Sequence, residues 1–288
     1  MKTTFDRTTE DSGNVVSLDH VNLCIGDQQL AILFYIQGLG FTRDPYLTVG
    51  LENMWLNAGR QQIHTPTRPG APQVVRGRIG LVVPDLGELQ QRLGDIAPRL
   101  VGTEFSTKEH GDHLDVTCPW GNLFLCHEPM ESFAATFGLP YVEFTVPRGT
   151  AAGIARFYEE VMGAVTEMKM VRKNDATVVR MGTDQTLIFR EALEEPRDYD
   201  GHHLAIYIGD FSGPHQQLDE RGLITEESNQ HQYRFKDIVD LNSGAVLFEL
   251  EHEVRSLRHP MYGRALVNRD PSVTTRNYTR NAEFLNIG

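Results

Sequence analysis

The chain has 288 residues, 40% hydrophobic and 23% charged, with a formal net charge of -12. That length predicts two domains, each large enough to bury a core, and the acidic balance without any dense Lys/Arg run excludes the electrostatic footprint of a nucleic-acid binder. The polar start MKTTFDRTTEDSGN reads as neither signal peptide nor membrane anchor, and three scattered cysteines, Cys24, Cys118 and Cys126, make no disulfide framework, so a reducing cytoplasm is expected.

Residues 1 to 15 lack apolar periodicity and read as a tail. A strand is then expected at Asp19 to Ile25, a helix at about 27 to 38, and short strands near 41 to 47, 53 to 58 and 61 to 65, a βαβββ unit. A second unit follows, with a strand at 78 to 83, a helix at 86 to 96 and strands near 99 to 103, 112 to 117 and 122 to 127. The segment Glu128-Pro-Met-Glu-Ser-Phe-Ala-Ala-Thr-Phe-Gly-Leu-Pro140 carries the punctuation of a linker and sets a boundary near 132. Both units then repeat from 141 to 252. Phe34-Tyr35 followed by Gly40 recurs as Phe157-Tyr158 followed by Gly163, an offset of 123 residues. Arg78-Ile-Gly-Leu-Val-Val-Pro-Asp85 matches His203-Leu-Ala-Ile-Tyr-Ile-Gly-Asp210, and Gly121-Asn-Leu-Phe-Leu-Cys126 matches Gly244-Ala-Val-Leu-Phe-Glu249. The predicted organisation is a tail at 1–15, domains at 16–131 and 132–267, and an extended tail at 268–288.

Leu18-Asp-His-Val-Asn-Leu, Phe34-Tyr35, His202-His203-Leu-Ala and Phe248-Glu249-Leu resemble the vicinal oxygen chelate superfamily, which includes glyoxalase I, methylmalonyl-CoA epimerase, bleomycin and fosfomycin resistance proteins and extradiol dioxygenases. The resemblance covers roughly 17 to 254, and a four-unit chain is most similar to the two-domain extradiol dioxygenases. It implies an α+β fold in which four βαβββ units form two half-open β-barrels, with metal ligands projecting from the first, fourth, fifth and last strands of each. The extradiol pattern of His, His and Glu in the second domain implies His203 and Glu249 as ligands, 46 residues apart. The first strand, Leu139 to Val146, has no histidine; one alignment puts Tyr141 at the third position and another Glu143, two residues apart and so on one face. The implied cofactor is a divalent metal, Fe(II) or Mn(II), with a metal-free cleft as the other possibility. Domain one offers His20 and His64, but Arg78 stands at its fifth-strand position and Cys126, or His127 after a shift of register, at its last. A guanidinium repels a cation, so this domain is expected to be structural.

Around the implied metal, His231, 18 residues before Glu249, stands where the family carries a proton-shuttling histidine. Arg258, His259, Tyr262 and Arg264 form a polar segment expected to bind substrate, while His202 should point away from His203. The resulting expectation is an extradiol-dioxygenase-like enzyme for small oxygenated substrates, aromatic ones included. Glyoxalase- or epimerase-like isomerase or lyase chemistry is one alternative, and a metal-free binding protein of the resistance type is the other. Expected partners are a small-molecule substrate and further copies of the chain, without nucleic acid or membrane.

Overall fold

A computed structural model describes residues 6 to 266, apart from 48, 49, 134, 184 and 195, so the tail expected at 268–288 lies outside the described residues. Four βαβββ units follow one another. The first holds β1 (Val15–Asn22), α1 (Gln28–Ala31, continued as a π-helical stretch Ile32–Gly38), β2 (Thr42–Arg43), β3 (Asn53–Ala58) and β4 (Gln61–Pro66). The second holds β5 (Gly77–Val82), α2 (Leu86–Ile96), β6 (Ser106–Glu109), β7 (Leu114–Thr117) and β8 (Leu123–His127). The third consists of β9 (Tyr141–Val146), α3 (Ala151–Glu160), β10 (Thr166–Val171), β11 (Asn174–Arg180) and β12 (Thr186–Glu191). The fourth consists of β13 (His203–Ile208), α4 (Ser212–Glu220), β14 (Ile224–Asn229), β15 (Gln232–Val239) and β16 (Val246–Ser256). The helices begin where the chain supplies acceptors for free backbone N–H groups. Asp27 accepts from Gln29 and Leu30, and Asp85 accepts from Glu88. The strand expected near 99 to 103 is instead a short 3-10 turn at Ala97–Arg99, with the strand displaced to β6.

The units assemble into two open eight-stranded sheets, ordered β14-β15-β16-β13-β1-β4-β3-β2 and β10-β11-β12-β9-β5-β8-β7-β6. Two half-open sheets are as expected, but each is built from units of both halves of the chain and not from one half alone. The first sheet joins unit one to unit four, and the second joins unit two to unit three. The junctions are antiparallel pairings of the leading strands, β1 with β13 and β5 with β9. Repeat spacing shows that units are alike but not which edges meet, because all four present an equivalent first strand. Where β5 crosses β9 the chain needs Gly77, since a Cβ there would lie 1.8 Å from the carbonyl oxygen of Glu143.

The helices fill the space between the sheets, and one continuous apolar cluster spans both. The repeated Phe-Tyr pair explains why. Phe34 and Tyr35 are fully buried, each with its ring 6.0 Å from Phe124 of the other sheet, and Phe157 meets Phe235 across the same divide at 5.9 Å. The sheets also bond directly. The amide of buried Leu18 donates to Gln185 Oε1 at 3.1 Å, and Ser17 forms an isolated bridge with Gly182. Gly182 has φ +80°, and a Cβ on it would sit 1.9 Å from the carbonyl oxygen of Val16. Gly182→Ala should therefore cost at least about 2 kcal/mol of stability, measured by urea unfolding, because backbone strain and a main-chain clash add.

His252 shows how a polar group is accommodated in this core. Its ring stacks on Phe235 at 4.4 Å, its Nδ1–H donates to the Leu250 carbonyl at 2.7 Å, and its Nε2 accepts from Tyr158 Oη at 2.6 Å. Every donor and acceptor of the neutral ring is used, and burial pushes its pKa from 6.5 down to about 4. Between those values the unfolded chain binds the proton and the folded chain does not. The stability is therefore present above about pH 6.5 and lost as pH falls towards 4. Between pH 7 and pH 5 the wild type should lose about 2 kcal/mol more than His252→Phe, read from paired urea titrations at the two pH values.

Candidate metal centre

The β1–β13 junction places Asn22 opposite His203 and His20 opposite Ala205, so the imidazoles of His20 and His203 face one another with ring centres 6.0 Å apart. On its other side β13 runs parallel to β16, with His203 opposite Glu251; Glu253 follows one pleat further on the same face. His20, His203 and Glu253, all buried, present ligand atoms within 4.8 Å of one another. His20 Nδ1 lies 2.9 Å from Asp19 Oδ2, and its Nε2 is buried without a hydrogen-bond partner. A carboxylate that holds one imidazole nitrogen while the other lacks a partner is the arrangement that orients a metal-ligating histidine. His203 Nδ1 is 3.6 Å from Glu251 Oε1 and its Nε2 is 3.8 Å from Glu253 Oε2, beyond hydrogen-bonding range and close to the spacing of donors around a shared centre. Burial, followed by the nearby His20 and Arg234, holds the His203 pKa well below the usual histidine range, so protons do not compete for its lone pair at neutral pH.

Two guanidiniums organise the carboxylates. Arg234 contacts Glu251 Oε1 at 2.5 Å and bonds Glu253, and Arg255 pairs with Glu253 and with Asp19 Oδ2, the latter at 2.8 Å. Burial pushes the Glu253 carboxyl up, but Arg255, with His20 and Arg234, outweighs burial and keeps it below its ordinary value. Asp19, Glu251 and Glu253, with Glu226 a further partner of Arg234, outnumber the two guanidiniums, a balance that favours a cation. His64, from β4, stands 5.9 Å from the His20 ring and stacks on Trp55 at 3.9 Å. Its Nε2 bonds Asn53 Oδ1, so Nε2 carries the hydrogen and Nδ1 is left as an acceptor. Burial, then His20, holds His64 neutral well below its usual range.

The sequence pointed to some of these positions and not others. His203 is at the centre. Glu249, expected beside it, is 40% exposed and paired with Lys236 at 2.6 Å; the neighbouring pleats of β16 supply the carboxylates instead. Tyr141 and Glu143 belong to the other sheet, where Glu143 is buried among Arg78, Arg172 and Arg190 and the Tyr141 hydroxyl meets His127 at 2.8 Å. They join no metal-capable group of three among the described residues. Domain one, expected to be structural, contributes His20 and His64. The clue was present in Leu18-Asp-His-Val, a histidine on a first strand, but it was paired with Arg78 of unit two instead of with unit four. His231 occupies the β14–β15 turn, its carbonyl accepting from Ser256, about 10 Å along the strands from the level of Glu253. In the C-terminal segment Arg258 is exposed. His259 is buried 6.2 Å from the Tyr207 ring, and Tyr262 packs edge-on to Tyr207 at 4.9 Å. Arg264 is ion-paired to Asp44 and reaches Gln62 at 3.2 Å. Tyr262 and Arg264 line a cavity of about 480 Å³ with Asp19, Gln185 and Tyr207, which meets His20 through Asp19.

No protein-family model matches the chain, and neither does any curated protein. Solved structures do. Glyoxalase I from Zea mays superposes with a TM-score of 0.59 at 15% identity, covering 83% of this chain and 92% of that one, and a mutant of it with 0.62 at 14%, covering 83% and 93%. A candidate dioxygenase from Bacillus subtilis subsp. subtilis strain 168 gives 0.58 at 15%, covering 88% and 87%. Identities this low speak for fold alone, and together with the four βαβββ units they show that the chain has the fold of the vicinal oxygen chelate superfamily.

Proposed function

We propose that the protein is a divalent-metal enzyme of extradiol-dioxygenase type acting on small oxygenated substrates, with Fe(II) or Mn(II) held by His20, His203 and Glu253. The observation that supports this reading is the convergence of two imidazoles and one carboxylate, a donor set of the kind that would hold such a cation. When bound, such a cation polarises neighbouring substrate oxygens and steadies the negative charge that develops on them. Asp19 fixes the His20 tautomer, and Arg234 and Arg255 hold Glu253 in place. His64 Nδ1 is placed to take the proton of a substrate hydroxyl, with its ring oriented by Asn53 and Trp55. Trp55 also lies edge-on to His20 at 4.7 Å and gives a planar substrate an aromatic wall. Tyr262 and Arg264 are the substrate contacts we propose from the C-terminal segment. All three proposed ligands come from one chain.

A second reading, glyoxalase- or epimerase-like proton transfer, is favoured by Glu251, a 27% exposed carboxylate beside His203 that lies outside the ligand set. Among the described residues no helix is long and apolar enough to cross a membrane, and the three cysteines are free and buried, which suits the cytoplasm.

His20→Ala, His203→Ala and Glu253→Gln should each lose one equivalent of Mn(II) per chain in a titration. Glu249→Gln, Glu143→Gln and Tyr141→Phe should retain it, and Asp19→Asn should weaken affinity about 10- to 100-fold. A folded His203→Ala protein with undiminished Mn(II) would remove the site. Protein loaded with Fe(II) should consume oxygen with a member of a catechol panel, monitored by an oxygen electrode. Catechol binding without oxygen uptake would transfer the case to the proton-transfer reading.

A further inference from the structure

The second sheet carries a separate cluster of histidines that the proposed chemistry does not use. It sits on the β6–β7 hairpin, where the His110 amide donates to the His113 carbonyl at 2.9 Å and closes a four-residue turn over His110-Gly111-Asp112-His113. That clamp brings the two imidazoles into parallel contact, ring centres 4.5 Å apart and planes 4° apart. Asp115 lies two residues beyond His113 on β7 and hence on the same face. His110 Nε2 is 3.2 Å from Asp115 Oδ2, and His113 Nε2 is 3.5 Å from Asp115 Oδ1, an oxygen that is buried and accepts no hydrogen bond. The donor atoms of all three residues fall within 4.8 Å.

The geometry points to a second divalent-cation site at His110, His113 and Asp115, of the zinc class, at the edge of the second sheet. Tetrahedral donors about 2.0–2.1 Å from zinc are about 3.3–3.4 Å from each other, which is the spacing found here between the imidazole and carboxylate atoms. His113 supplies the second argument. Its Nδ1 is 2.6 Å from Asp112 Oδ1, so a neutral ring places its hydrogen there and presents the Nε2 lone pair to the Asp115 carboxylate. With the hydrogen on Nδ1, Nε2 and the unpartnered Asp115 Oδ1 are both acceptors, and a cation between them would satisfy both. The Asp112 contact is also the outer carboxylate–histidine bond that orients a metal ligand. Side-chain exposures of 31% for His110, 23% for His113 and 25% for Asp115 leave a path for the ion and an open fourth position. His127 on neighbouring β8, its ring 5.7 Å from that of His113, is the nearest further imidazole. Imidazole and carboxylate together suit zinc and the related borderline ions better than calcium or magnesium. Such an ion would clamp the β6–β7 turn.

The test is a titration of the full chain, stripped with a chelator, with Zn(II) against a chromophoric competitor, and with Co(II) followed by the intense visible absorption of a four-coordinate ion. His110→Ala/His113→Ala should lose one tight equivalent of Zn(II), and Asp115→Asn should weaken that equivalent at least about 10-fold. His20→Ala/His203→Ala should retain this equivalent and its Co(II) absorption, which separates the hairpin site from the one in the first sheet. Circular dichroism of each variant confirms folding, which substitutions on a partly exposed turn should not disturb. Zn(II) stoichiometry unchanged in folded His110→Ala/His113→Ala, or no tight Zn(II) left in His20→Ala/His203→Ala, would overturn the site.

Discussion

The antiparallel pairing of β1 with β13 is the contact on which the rest of the structure depends. It joins residues almost two hundred positions apart in the chain and makes one sheet from the first and last units. Without it His20 and His64 would share no surface with His203 and Glu253. The pairing also leaves the middle units only each other, through β5 and β9, where Gly77 lets two backbones approach to a distance that no side chain allows. The helices then have apolar sheet on both sides, and the aromatic pairs Phe34-Tyr35 and Phe157-Tyr158 pin them there.

From that junction follows the difference in chemistry between two similar sheets. At the leading strands of the first sheet, imidazoles and carboxylates meet with guanidiniums behind them, and the buried Nε2 of His20 has no hydrogen-bond partner. At the corresponding place in the second sheet, Arg78, Arg172 and Arg190 surround the single buried carboxylate of Glu143, an excess of positive charge that repels a cation. The repulsion of a cation by Arg78 acts in the sheet formed by the middle units, not in the sheet that holds His20 and His64. The second sheet instead gathers histidines at its edge, on a hairpin where solvent access lowers the cost of holding a charge.

The arginines of the first sheet do more than balance charge. Arg255 bridges Glu253 of β16 to Asp19, the carboxylate that holds the His20 ring on β1. The first and last units thereby orient each other's side chains at this junction. The C-terminal segment adds to this, with Arg264 fastened to Asp44 of unit one and Tyr262 packed on Tyr207 of β13.

Local pattern was enough to show four βαβββ units, the α+β class and the helix positions, because side-chain periodicity, capping residues and the repeated Phe-Tyr pair act over a few residues. The ligand set required more than pattern. Glu249, Glu251 and Glu253 alternate along one strand and point the same way, so counting from a motif chose Glu249, whereas the register of β16 against β13 puts Glu251 and Glu253 beside His203. His20 was visible as a first-strand histidine, yet its partner depended on which of four equivalent strand edges paired with which. Strand hydrogen bonding is made by the backbone and is nearly blind to sequence. Only the packed structure, in which Gly77 and Gly182 allow close backbone approach, decided that the first and last units bring His20, His203 and Glu253 together.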